Sequence, residues 1–163
     1  MEQMKTSSEG LALIRTFEGC VLRAYKCPAG VWTIGYGHTR GVIPGDKITQ
    51  AQAEAYLTKD VEPIEASLWA YFGPRLKQGQ FDALVSFVFN LGWKAFTSST
   101  LCKRIKEKAS DRYVCEQLLR WYYSNRKPLL GLMKRRVAEA NLWMGRETYR
   151  VINKGKAWRI VEI

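Results

Sequence analysis

Apolar residues recur at helical spacing near the start of the chain, where Leu11, Ile14 and Phe17 share one face. Thr6 and Glu9 have capping-box spacing and Gly19 can end the run, so a helix is expected over about residues 6–18. From Gly19 to Gly45 the composition turns to Gly, Thr, Tyr and Val, with alternation in Val31-Trp32-Thr33-Ile34. This reads as a small antiparallel sheet and as the only strand-like region. Thr49 and Gln52 form a second capping box, opening a long connecting helix through Ala53, Tyr56 and Leu57 to Pro63, where it should break or kink. Gln80 to Leu91 is apolar on nearly all sides, the pattern of a helix buried centrally in a larger lobe. Shorter helical patterns follow at Ser99 to Lys108, Asp111 to Tyr123 and Leu132 to Met144, with no repeat or low-complexity run between them.

With 163 residues, 47% of them apolar, the chain can bury a sizeable core as a single domain or as two small lobes sharing a helix. A net charge of +11 implies attraction to a polyanion without saying which. Nucleic acid is disfavoured, since there is no helix-turn-helix, aromatic sheet motif or zinc finger. Lys134-Arg135-Arg136 and the tail cations Arg146, Arg150, Lys154, Lys156 and Arg159 read as a solvated face. The N-terminus is polar and the apolar pattern after it is interrupted by Arg15 and Glu18, so neither a signal-peptide core nor a membrane-spanning helix is expected. Cys20, Cys27, Cys102 and Cys115 then read as reduced thiols, with a Cys20–Cys27 bridge as the oxidised alternative, and no spacing resembles a metal site. The lone His38 reads as a structural hydrogen-bonding group, and Trp69, Trp121 and Trp143 as core.

The chemistry concentrates at the end of the first helix. Cleaving a glycosidic bond requires a proton donor for the departing oxygen and, on the other face of the sugar, a group that activates water or attacks carbon. Glu18 can be the donor, because it falls at a helix-to-loop junction where apolar neighbours would desolvate the carboxyl. Cys27 can be the second group, either steering water, with inversion, or attacking directly, with retention.

Glu18, eight residues, Cys27, five residues and Thr33, followed by Thr33-Ile34-Gly35-Tyr36-Gly37-His38, resembles the active-site segment of the phage-type lysozymes or endolysins, glycoside hydrolase family 24. Phe81 to Gly92 resembles that family's central buried helix, Phe96 to Leu101 the turn after it, and Gly131 to Glu139 its closing helix. The resemblance implies an α+β, lysozyme-like fold: a small antiparallel sheet lobe at about 19–48 and a larger helical lobe at about 65–163, joined by a long helix, with the N-terminal helix packed on the helical lobe. It further implies a muramidase that cleaves the β-1,4 bond between N-acetylmuramic acid and N-acetylglucosamine in peptidoglycan and releases phage progeny by lysis of the host. In that reading Glu18 is the acid, Cys27 the second group and Thr33 the helper. Thr39, Phe89 and Ser99 align with positions that contact the saccharide. No cofactor or metal is implied. The enzyme is expected to be a monomer without membrane insertion, held in the host cytoplasm until a separate holin admits it to the periplasm. A lytic transglycosylase and a non-catalytic cationic wall-binding or membrane-perturbing protein are the other classes left open.

Overall fold

The computed structural model describes residues 1–163. Helix α1 spans Ser8–Glu18, and its cap is Ser7, whose hydroxyl accepts the Gly10 N–H at 3.2 Å. Thr6, the expected cap, is occupied elsewhere, donating its N–H and hydroxyl to Glu65 Oε1 at 2.8 and 2.7 Å. The Ser7 N–H and hydroxyl go to Asp82. Two buried carboxylates thus hold the residues that lead into α1.

After Gly19 the chain extends into β1 (Val21–Lys26), which pairs antiparallel with β2 (Trp32–Gly35), Tyr25 opposite Thr33 and Lys26 opposite Trp32. Residues 46–48 run along the other edge of β1, where the Ala24 N–H donates to Asp46 O and the Ile48 N–H to Leu22 O. The expected capping box is formed, Thr49 and Gln52 each accepting the other's N–H, and opens α2 (Gln50–Phe72). This helix does not break at Pro63. Its 23 residues run unbroken, about 34 Å end to end, because the proline removes a single hydrogen bond while Leu57, Val61, Leu68 and Phe72 on either side of it bury one continuous face.

Helix α3 (Gln78–Leu91) is buried from Gln80 to Val88, as its all-round apolar pattern predicts. Against it pack α1, α2, α4 (Trp93–Thr97) and α7 (Leu130–Met144), while α5 (Thr100–Lys106) and α6 (Asp111–Leu118) pack on each other and on α4 and α7. Helices α3 and α7 come closest at Gly79, where a Cβ would lie 2.4 Å from the Leu142 carbonyl oxygen. The long connecting helix, the sheet lobe before it and the helical lobe after it match the expected α+β architecture.

The strand content exceeds the expectation. The helix expected over Asp111 to Tyr123 stops at Leu118, and Tyr123 enters a short hairpin, β3 (Tyr123–Ser124) with β4 (Lys127–Pro128), turned by Asn125 and Arg126 at φ 48° and 63°, the backbone of a two-residue type I′ loop. The tail forms a longer hairpin, β5 (Tyr149–Lys154) with β6 (Ala157–Glu162), closed at Gly155-Lys156 with Gly155 at φ 71°. Tyr149, Val151 and Ile160 lie on one face by strand alternation and pack on the helical core.

Candidate active site

Gly19, at φ 67°, ends α1 so that Glu18 stands at the junction of helix and sheet lobe. Its surroundings are not the apolar pocket expected. Glu18 Oε1 meets Arg135 Nη1 at 2.5 Å, and the side chains are 22% and 4% exposed respectively. Arg135 comes from α7 and is fixed in turn, donating from Nη2 to the Ser86 carbonyl at 3.1 Å and from Nε to Ser86 Oγ at 3.3 Å. Ser86 donates to Glu139 Oε1 at 2.7 Å, and Arg136 Nη2 donates to the same oxygen at 2.8 Å and to Asn90 Oδ1 at 2.9 Å. Arg135 and Arg136 are therefore buried, not the solvated face expected of them. Two guanidinium groups can be buried because Glu18, Glu139 and the Ser86 and Asn90 oxygens compensate them. Burial pushes the Glu139 carboxyl upward while Arg136 and Arg135 pull it down.

The second oxygen of Glu18 is turned towards the sheet lobe, where a Cβ at Gly37 would lie 3.7 Å from Oε2. Gly37, at φ 83°, allows the tight turn that follows β2, and the backbone of Ile34 and His38 exchange two hydrogen bonds of 2.9 Å across it. His38 supports this turn from outside: Nδ1 lies 2.8 Å from Asp60 on α2 and the ring stacks on Tyr56 with centroids 4.3 Å apart. It is a structural group, as expected.

Cys27 follows β1 in a turn closed by its own backbone, the Cys27 N–H donating to Val31 O at 2.9 Å and the Gly30 N–H to Cys27 O at 2.8 Å. The Val31 backbone lowers the thiol from its ordinary value, with Ala29 and the Thr33 side chain adding to that effect against opposition from burial. Thr33 is buried, and its hydroxyl donates to Val31 O at 3.0 Å. Cys27 and Thr33 are thus two sides of one small hydrogen-bonded turn. The six residues of β1 separate Cys20 from Cys27, placing them roughly 20 Å apart along an extended strand, against the 7 Å or so that a bridge allows. The Cys20–Cys27 alternative is excluded, and all four thiols are free.

Beside the Gly37 turn lies a cleft of about 390 Å³ lined by Thr39, Arg40, Lys59, Asp60, Pro63 and Phe89, among others. Thr39 and Phe89, both expected at the saccharide, meet here. Ser99 does not: it caps α5, accepting the Cys102 N–H at 3.0 Å and donating to Phe96 O at 2.5 Å, and lines a separate hollow with Thr97 and Lys103. Pattern reading missed Lys59 and Pro63 along the cleft and Arg135 behind Glu18.

A family model described as phage lysozyme matches residues 15–139. An endolysin from Acyrthosiphon pisum secondary endosymbiont phage 1 is 44% identical over 144 residues, which are 86% of this chain and 98% of the relative. Among solved structures, the muramidase domain of SpmX from Asticaccaulis excentricus superposes with a TM-score of 0.80 at 36% identity, over 86% of this chain and 97% of that one. The endolysin from Escherichia coli O157:H7 phage FAHEc1 does so with a TM-score of 0.77 at 37% identity, over 88% and 95%.

Proposed function

The chain belongs to the phage lysozyme family, and from that membership we propose that Glu18, Cys27 and Thr33 carry out its hydrolysis of peptidoglycan. The enzyme is a lysozyme of the endolysin kind, a muramidase acting on the bacterial wall. Glu18 protonates the departing glycosidic oxygen through Oε2, while Arg135 holds Oε1 and so fixes the direction of the proton. The ionised form of Cys27 takes a proton from, or steers, a water on the opposite face of the sugar, giving inversion at the anomeric carbon. The Thr33 hydroxyl has one hydrogen, now directed to Val31 O, and turns it to the sulfur when the thiol ionises. Thr39 and Phe89 contact the saccharide in the cleft, Phe89 offering an aromatic ring to a sugar face.

What supports this assignment most is the Glu18–Arg135 contact, which engages one carboxylate oxygen from behind while the other lies towards Gly37, a residue that lines the cleft. The enzyme works as one catalytic domain and as a monomer. It stays in the host cytoplasm until a holin opens the way to the periplasm, in keeping with the lack of any helix long and apolar enough to cross a membrane.

Mass spectrometry of digested sacculi tests the reaction. Hydrolysis adds the mass of water at each cut and leaves reducing ends. Anhydro ends would identify a transglycosylase instead, and wall lysis surviving in Glu18→Gln would identify a non-catalytic protein. Because general acid catalysis contributes about 10²–10⁴-fold, Glu18→Gln should lose at least about a hundredfold in rate while remaining folded.

A further inference from the structure

A hollow of about 540 Å³, larger than the cleft, lies where the tail hairpin meets α6, α7 and β3. Tyr122 and Tyr123 stack at one side with centroids 4.7 Å apart. Trp158 overhangs the other. By strand alternation Trp158 shares the face of β6 that buries Ile160, yet it extends past the core and is 45% exposed, as Tyr123 is at 58%. The walls carry Arg120 and Arg159, neither with an acidic partner, while the carboxylate of Glu116 is already faced by Arg112 at 3.8 Å. The groove is thus a concave aromatic surface with the uncompensated guanidinium of Arg120 beside it.

Its position separates it from the active site. Met133 floors the groove and Arg135 reaches Glu18, and two residues along a helix are about 200° apart, so the two sites use opposite sides of α7. The hairpin that supplies Trp158 lies beyond residues 15–139, the part matched by the family.

We propose that this groove is a second peptidoglycan site, which binds a glycan strand other than the one being cut. The proposal rests on peptidoglycan being the substrate. The aromatic rings suit the apolar faces of pyranose sugars, and Arg120 suits a carboxylate of the acidic stem peptides that branch from the same strand. A wall is a mesh of many strands, so engaging a neighbouring strand keeps the enzyme at high local concentration between cuts without tightening its hold on the strand in the cleft.

The test separates holding the wall from cutting it. In a Glu18→Gln background, which leaves sacculi intact, co-sedimentation measures binding. Trp158→Ala and Tyr123→Ala should each weaken it about tenfold, the loss expected of a central aromatic contact, and Arg120→Glu should weaken it likewise. With Glu18 in place, the same substitutions should raise KM on sacculi and leave kcat/KM on short soluble glycan fragments unchanged. Circular dichroism establishes that each variant is folded. Parental affinity for sacculi in the folded Trp158→Ala and Tyr123→Ala variants overturns the proposal, as does an equal loss of activity on sacculi and fragments. So does a Trp158-dependent affinity for anionic phospholipid vesicles with sacculus binding unchanged. A parent enzyme that releases no fragments would be a failure of the lysozyme assignment, visible before any groove variant is made.

Discussion

A carboxylate that must deliver a proton is useful only if it points one way, and for Glu18, the proposed acid, that direction is set by Arg135, a residue 117 positions further along the chain. Glu18, Cys27 and Thr33 stand out in the sequence as candidates because their spacing is local, held within one helix end and one hairpin. Arg135 does not, because a charge on a helix reads as solvated until its partners are known, and Ser86 and Glu18 come from two other helices. Ser99 stands apart from the cleft: a serine before a helix is first a cap, and here that role takes its hydrogen and one of its acceptor positions. At Cys27 the chemistry predicts a change in pH dependence. The thiol must lose its proton to act on water, so the rate should rise as pH passes through a thiol value that the Val31 backbone has lowered. Cys27→Asp supplies a group that ionises at much lower pH, so the rising limb of kcat/KM against pH should move to the acid side with activity retained. Cys27→Ala should lose most of its rate at every pH. An alanine variant as active as the parent would make the sulfur a packing atom.

At the scale of helices, the close approach of α3 and α7 determines how accurately Arg135 is held. Gly79→Ala would drive a methyl group into the Leu142 carbonyl, and overpacking of this kind costs about 1–3 kcal/mol. Urea denaturation should show that loss of stability, with kcat falling as α7 shifts. Glu139→Gln acts on the same pair of helices through charge. It leaves Arg136, wholly buried, without its carboxylate, and breaking a buried ion pair from one side costs about 3–5 kcal/mol. A Glu139→Gln protein as stable as the parent would show that the pair contributes little. The helices themselves were legible from their apolar periodicity and caps. Pro63 does not break α2, because proline chemistry is local while the stability of the helix comes from faces buried on both sides of it. The tail hairpin escaped notice because its strands carry Arg150, Lys154 and Arg159, which mask the alternation that Tyr149, Val151, Trp158 and Ile160 keep.

For the molecule as a whole, a net charge of +11 should concentrate the enzyme on the anionic wall. Exposed charges are screened beyond about 10 Å at 0.1 M salt, so lysis of sacculi should slow as sodium chloride rises. A flat salt profile would mean that contacts in the cleft and groove, not the general field, keep the enzyme on the wall. The contact between Glu18 and Arg135 has a further consequence for when the enzyme comes into being. A ribosome makes Glu18 early and Arg135 late, and the buried face of α1 packs on α3 and α7. A nascent chain halted ahead of Arg135 should therefore lyse no wall, even with its sheet lobe already formed. Fragments left by interrupted translation would then be harmless to the cell that makes them, and lytic power would arrive only as the last helix emerges and closes over the first.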